Sequence, residues 1–93
     1  MENLLKITDY CLFTFQATSH ALKAERVLKS ADLEFTVIPT LREISTSCGL
    51  SIKVRPDNYE ETSQILAVNK VPIDGLYKVE KKGPKNSIEE LAL

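Results

Sequence analysis

The chain has 93 residues, of which 43% are hydrophobic and 27% are charged; this is enough for one small globular domain. Twelve basic and thirteen acidic side chains leave a formal charge of −1, which argues against the positive surface that nucleic-acid binding needs. No stretch approaches the roughly 20 apolar residues that span a bilayer, and Lys6 and Asp9 interrupt any secretory signal near the N-terminus. We therefore expect a cytoplasmic protein that binds neither nucleic acid nor membrane.

Two cysteines, Cys11 and Cys48, stand 37 positions apart. In a chain without an export signal, reduced thiols are expected rather than a disulfide. The chain has one histidine and no Cys-x-x-Cys pair, so a four-ligand zinc site within one chain is not expected. The sequence predicts neither a metal nor a cofactor.

In chain order, a loose lead-in over residues 1–8 precedes Tyr10–Phe15, whose aromatic and β-favouring residues predict a buried central strand with Cys11 in the core. A helix should follow, capped by Thr18 or Ser19. Its buried stripe is predicted from four residues at helical spacing, namely Ala21, Ala24, Leu28 and Ala31.

Leu33–Ile38 predicts a second strand that Pro39 ends, and Leu50–Arg55 alternates apolar and polar residues as a strand with one solvated face does. Asp57-Asn-Tyr-Glu has the form of a capping box and predicts a second helix that closes near Asn69 and Lys70. Ile73–Glu80 predicts a fourth strand with a bulge or kink at Gly75. Residues 81–93 are expected to be flexible and to end in a marginal helix.

The order strand, helix, strand, strand, helix, strand predicts an α+β domain over residues 9–80. With right-handed crossovers it becomes a ferredoxin-like sandwich, a four-stranded antiparallel sheet with both helices on one face. The termini, 1–8 and 81–93, are expected to be flexible or loosely packed. RNA-binding sandwiches of this topology carry aromatic residues on their inner strands, whereas the third strand here offers Leu50, Ile52 and Val54.

Residues 39–50 concentrate chemistry between two predicted strands. A thiolate is the reactive form of cysteine, and cations, hydroxyl donors and backbone amides stabilise it. Around Cys48, Arg42 can supply charge, Ser45 and Ser47 can supply hydroxyls, and Gly49 lets amides approach without a Cβ. The alternative is that Cys48 is a small apolar plug at the start of a strand.

Two further positions allow two interpretations each. His20, near a helix start, is either a general base or a partly exposed histidine of the cap region. Arg42 and Glu43 are either an oxyanion clamp or a surface ion pair.

Several segments resemble the selenium/sulfur carrier-like family of small bacterial domains. They are Tyr10-Cys-Leu-Phe-Thr-Phe, Ser19-His-Ala-Leu-Lys-Ala-Glu-Arg-Val-Leu-Lys, Ile38-Pro-Thr-Leu-Arg-Glu-Ile-Ser-Thr-Ser-Cys-Gly-Leu and Gly75-Leu-Tyr-Lys-Val. The resemblance runs from about Tyr10 to Glu80. Family members often have a second proline before the arginine, where this chain has Leu41.

The resemblance implies a carrier rather than a turnover enzyme, with sulfur or selenium held on a loop cysteine as a persulfide or selenosulfide between donor and acceptor proteins. It places the chalcogen on Cys48. Its surroundings would be Arg42, Ser45, Ser47 and Gly49, with His20 as a weaker family position.

Two other functions stay open. One is a non-catalytic interaction or regulatory module, in which Cys48 only packs and a sheet edge pairs two chains as a homodimer. The other is a thiol redox sensor, whose resolving thiol would come from a second chain because Cys11 is expected to be buried.

Overall fold

The computed structural model describes residues 8–41, 44, 49–82 and 84–91, with the backbone alone for residues 82, 85 and 86. Its elements are β1 (Tyr10–Thr14), α1 (Thr18–Ser30), β2 (Thr36–Pro39), β3 (Leu50–Val54), α2 (Tyr59–Val68), β4 (Gly75–Lys82) and β5 (Lys85–Leu91). The strands form one antiparallel sheet in the order β2-β3-β1-β4-β5. The predicted α+β class is confirmed, and the prediction of four strands is wrong because the sheet has five.

β1 is the centre of the sheet, and all five of its residues are buried. Because side chains alternate along a strand, β1 serves two faces. Cys11 and Phe13 lie in the larger core, which also takes the buried apolar residues of both helices. We call this group the helix-side core: Cys11, Phe13, Phe15, Ala21, Ala24, Leu28, Ile52, Val54, Leu66, Val71 and Leu76.

The opposite face of the sheet has its own apolar cluster, which contains no helical residue. We call it the open-face cluster: Tyr10, Leu12, Ile44 and Val79, with Ile38, Leu41, Tyr77 and Ile88 packed against them. Its members come from four strands and from residues 40–49, the loop between β2 and β3. Both faces of the sheet centre are therefore covered.

Both helices begin differently from the prediction. The N-cap of α1 is Ala17, and the N-cap of α2 is Asn58 after a 3-10 turn over Pro56–Asn58; neither makes a side-chain capping hydrogen bond. The prediction of a capping box that begins at Asp57 is therefore wrong. Proline favours the first turn of a helix, since it lacks an N–H that would need a partner there, so Pro56 starts the turn before Asp57 can cap it.

β2 is shorter than predicted and includes Pro39 as its last residue. Proline is tolerated there because β2 is an edge strand of the sheet. Leu33 and Phe35, which were expected in this strand, pack against the helix-side core instead.

The tail forms β5, so the predicted terminal helix is wrong. β5 pairs with β4 from Leu76–Leu91 to Lys82–Lys85. Ile88 packs on the open-face cluster and Leu91 on the helix-side core, whereas a helix would place residues three apart on one side. The exposed edge of β4 supplies the partner that converts this short segment into a strand.

β4 begins at Gly75, which pairs regularly with Thr14, so Gly75 is not a bulge. The lead-in over residues 1–7 lies outside the described residues, and the domain limits 9–80 stay a prediction. In the described part of the chain, no helix is long and apolar enough to cross a membrane.

Candidate functional site

The ends of residues 40–49 are held together where β2 meets β3. The Thr40 N–H donates to the Gly49 carbonyl at 3.0 Å, and Thr40 Oγ1 lies 2.7 Å from Ser51 Oγ. We call Thr40, Gly49 and Ser51 the loop neck. Cys48 is bonded directly to Gly49, so it is one residue from this fixed point.

Four of the predicted site residues, Arg42, Ser45, Ser47 and Cys48, lie outside the described residues, as does Glu43. Their arrangement around the sulfur stays a prediction. Gly49 and His20 are described and can be placed.

Gly49 is exposed, and a Cβ built on it would meet no described atom within 4 Å. Its φ also lies outside the left-handed region. Neither backbone conformation nor crowding by the described residues therefore requires glycine here. Close approach by an amide, the role expected from the sequence, stays a prediction.

Ile44 is the described residue of the loop that is buried on the open face of the sheet. This residue is 6% exposed and belongs to the open-face cluster with Tyr10, Leu12 and Val79. Its N–H donates to the Leu41 carbonyl at 3.0 Å. Ile44 was not among the residues predicted from the sequence, although an isoleucine within the polar stretch 42–48 is the signal that could have identified it.

Lys53 lies on the same face of the sheet. Ile52 and Val54 of β3 point to the helix-side core, so Ser51 and Lys53 point away from it. Both are buried, Ser51 fully and Lys53 to 6% exposure, so the expected solvated face of β3 is wrong. The open-face cluster occupies the space where water was expected.

The Lys53 ammonium lies beside an aromatic ring. Its Nζ lies 4.3 Å from the centre of the Tyr10 ring, a cation–π distance. Burial lowers the Lys53 pKa from its ordinary 10.5, because removal from water disfavours the charged form. Lys53 is thus a largely buried lysine on the same face of the sheet as Ile44.

A second set of polar groups continues from the loop neck across β1. Thr14 is fully buried and pairs with Ser51 on one side and with Gly75 on the other. Its hydroxyl donates to the Gly75 carbonyl at 3.4 Å. Ser51 of the loop neck is therefore held against β1, the central strand of the sheet.

Tyr77 completes this face on β4, opposite Glu90 of β5. Burial raises the Tyr77 pKa above its ordinary 10.0, and the Glu90 carboxylate raises it further through its charge and a side-chain hydrogen bond. A Cβ at Gly75 would lie 2.8 Å from Tyr77 Cε1. The absence of that atom makes room for the tyrosine ring.

His20 is placed at the same end of the sheet as the loop neck, because α1 follows the end of β1 that pairs with Ser51. It is partly exposed, and its Nδ1 is buried without a hydrogen-bond partner among the described residues. α1 packs in the helix-side core, whereas Ile44 lies on the open face. No described hydrogen bond joins His20 to the loop neck.

Cys11 is a core residue, as predicted, with 1% exposure. Burial raises its thiol pKa from 9.0, and the Lys78 charge lowers it by less. A buried thiol with a raised pKa is a poor source of thiolate. Reactive sulfur chemistry is therefore not expected at Cys11.

No group of three or more histidine, cysteine or acidic side chains within the described ranges could hold a metal ion. A protein-family model described as "Putative Se/S carrier protein-like" matches residues 10–78, a range that includes β1, both helices and the loop with its neck. Comparisons with curated proteins and with solved structures find no significant match.

Proposed function

Because the chain belongs to this Se/S carrier-like family, we propose that it carries sulfur or selenium on Cys48, as a persulfide or selenosulfide, between donor and acceptor proteins. The observation that carries the proposal is the loop neck, which fixes the residue next to Cys48 by the Thr40–Gly49 hydrogen bond. A carrier cysteine needs such a rigid base, since its sulfur must reach a partner's active site in a defined position.

The choice of Cys48 over Cys11 follows from burial. A transferred sulfur must be attacked from outside, and Cys11 is 1% exposed in the helix-side core. The chain has no third cysteine. In the proposed site, the groups that stabilise the thiolate are Arg42, Ser45, Ser47 and Gly49, and His20 has a lesser role because α1 packs on the other face of the sheet.

The transfer needs no added oxidant. The Cys48 thiolate attacks the outer sulfur of a donor persulfide, the donor's sulfur–sulfur bond breaks, and the donor leaves as a thiolate. An acceptor thiolate then attacks the outer sulfur on Cys48 and releases the Cys48 thiolate. The same exchange moves selenium when the outer atom is selenium.

We further assign β1 to β4 and the two helices to the ferredoxin-like class, with β5 as an addition. The order β2-β3-β1-β4 and the placement of both helices in one core support this assignment. In this scheme β5 is a fifth strand added beside β4, at the opposite edge of the sheet from β2.

The proposal is tested by loading the protein with a cysteine desulfurase as persulfide donor and locating the added sulfur by mass spectrometry. The wild type and Cys11→Ala should gain one sulfur on Cys48, and Cys48→Ser should gain none. An acceptor thiol should then remove it. Wild-type protein that acquires no sulfur on Cys48 from this donor or from inorganic polysulfide would overturn the proposal.

The second candidate is an interaction module in which the loop is structural. Its support is Ile44, whose burial in the open-face cluster shows that part of the loop packs against the sheet. Alkylation of the native protein separates the two functions. A carrier requires fast modification of Cys48 while Cys11 stays protected, whereas a structural Cys48 should react only on unfolding.

A further inference from the structure

The loop neck contains a contact between two side chains, Thr40 and Ser51, that the sequence did not single out. Thr40 Oγ1 and Ser51 Oγ are 2.7 Å apart, the usual length of a hydroxyl–hydroxyl hydrogen bond. Thr40 follows β2 and Ser51 belongs to β3, so the bond joins the two ends of the loop. Ser51 is fully buried and Thr40 is partly exposed, so losing the bond would leave the buried Ser51 hydroxyl without this partner, which costs free energy.

We propose that Thr40 and Ser51 are positioning residues for sulfur transfer, whose hydrogen bond steadies the loop neck from which Cys48 extends. The inference rests on the proposed function of Cys48. Cys48 is one Cα step, about 3.8 Å, from Gly49, and Gly49 accepts the Thr40 N–H. A shift of Thr40 therefore reaches Cys48 through a single residue.

The two members of the pair are not equivalent. Ser51 lies within β3 and is paired with Thr14 of β1 and Ile38 of β2, so the sheet fixes it. Thr40 lies just beyond the last residue of β2. The hydroxyl contact thus ties Thr40, the first residue after β2, to the strand β3.

A rival explanation is that packing alone positions the loop. Leu41 and Ile44 lie in the open-face cluster, and their burial could fix the loop without the hydroxyl pair. The two explanations differ in what happens when the hydroxyl is removed and the shape is kept. Thr40→Val makes this change, and Thr40→Ser keeps the hydroxyl.

The experiment compares wild type, Thr40→Val, Thr40→Ser and Ser51→Ala, with Thr36→Val as a control at the other end of β2. Each protein is scored for the rate of sulfur uptake at Cys48 from the desulfurase and for the pH profile of Cys48 alkylation. Cys11 serves as an internal control, because its alkylation reports opening of the whole core.

We expect Thr40→Val and Ser51→Ala to slow sulfur uptake about fivefold, the factor that corresponds to one protein hydrogen bond. The alkylation midpoint of Cys48 should move to higher pH, since the thiolate is no longer held among its stabilising groups. Thr40→Ser and Thr36→Val should resemble the wild type, and Cys11 should stay protected.

An unchanged uptake rate and midpoint in Thr40→Val would overturn the inference and leave the carrier function intact. Exposure of Cys11 in Thr40→Val would also overturn it, because the pair would then act on overall stability. If Ser51→Ala exposes Cys11, the result for Thr40→Val decides, because Thr40 is only partly buried and its change disturbs the core less. Failure of wild-type protein to take up sulfur would instead refute the proposed function, and the alkylation profiles would still test whether the pair positions Cys48.

Discussion

Lys53 Nζ lies 4.3 Å from the centre of the Tyr10 ring, although the residue directly opposite Lys53 on β1 is Leu12. The lysine side chain therefore reaches along the sheet to a diagonal neighbour, a distance that long side chains can span. There it replaces water with the aromatic face, which attracts a cation. The lowered pKa of Lys53 shows that this replacement is incomplete.

This burial predicts a pH dependence of stability. The folded-state pKa of Lys53 is below 10.5, so between the two values the unfolded chain binds more protons than the folded one. The free energy of unfolding should therefore gain a rising contribution as pH increases from the folded pKa to 10.5. Lys53→Met should lack that contribution in urea titrations across the alkaline range.

The exposed Lys23 provides the matched control for Lys53, because Lys23→Met should keep the wild-type dependence. Cys11 and Tyr77 have raised pKa values and act in the opposite direction. They destabilise the fold as pH rises through their own range, in wild type and variant alike. Equal slopes for wild type and Lys53→Met would contradict the prediction.

Two glycines should respond in opposite ways to alanine. A Cβ at Gly75 would lie 2.8 Å from Tyr77 Cε1, 3.0 Å from its hydroxyl and 3.1 Å from Thr14 Oγ1. Gly75→Ala must displace the tyrosine, and we expect a loss of about 1–3 kcal/mol, as for overpacked sites. Gly49→Ala, whose Cβ would meet no described atom within 4 Å, should change the free energy of unfolding by less than about 0.5 kcal/mol. Chemical denaturation that finds equal losses would refute the crowding at Gly75.

Lys70 is predicted to be a site where glycine stabilises the protein. Its φ is 59°, and the hydrogen bonds from Lys70 to Ala67 and from Val71 to Leu66 form a Schellman motif at the end of α2. A left-handed conformation costs an L-residue roughly 1–2 kcal/mol, and glycine loses part of that gain through its greater freedom when unfolded.

Thermal or urea unfolding should show Lys70→Gly to be more stable by about 0.5–1 kcal/mol. Lys29→Gly, in the last turn of α1, should lose about 1 kcal/mol, since glycine disfavours a helix interior. Asp32, with φ 58° after α1, should gain less from glycine because aspartate tolerates this region better. A destabilised Lys70→Gly would be inconsistent with the left-handed cap.

Glu90→Gln should lower the pKa of Tyr77. The change removes the carboxylate charge that favours the neutral phenol, but burial remains the larger cause, so the pKa should stay above 10.0. Tyrosine ring carbon shifts in an NMR titration would report it residue by residue. Glu89→Gln is the matched control, because Glu89 pairs with Lys78 rather than with Tyr77. A Tyr77 titration that Glu90→Gln leaves unmoved would exclude the cross-strand contact.

The spacing of apolar residues correctly predicted most of the buried residues in elements with one buried face. β3 has the predicted first residue and apolar alternation, and Cys11 lies in the core. α1 buries Ala21, Ala24 and Leu28 as predicted, but Ala31 is exposed because the helix ends at Ser30. These outcomes depend on spacing within one segment, because a strand repeats every two residues and a helix about every 3.6.

The candidate site was only partly predictable. The sequence singled out Cys48 and its neighbours, which stay predictions, and it gave no reason to connect Thr40 with Ser51, since 11 positions separate them. The roles of Ile44 and Lys53 were also missed. Both depend on apolar residues packing on the open face of the sheet. The polar surroundings of Ile44 hint at such a contact, whereas nothing in the sequence near Lys53 indicates it.

The sequence by itself determined the order of the first six elements and the part of the helix-side core that β1, α1 and β3 contribute, because both follow from periodic burial within short segments. Only the tertiary structure decided that residues 85–91 form a strand, that Ser51 and Lys53 of β3 are buried and that Thr40 forms a hydrogen bond with Ser51. Each of these depends on a partner outside the segment itself: the edge of β4, the open-face cluster and β3. Such contacts arise from the packing of segments and leave no local periodic signal.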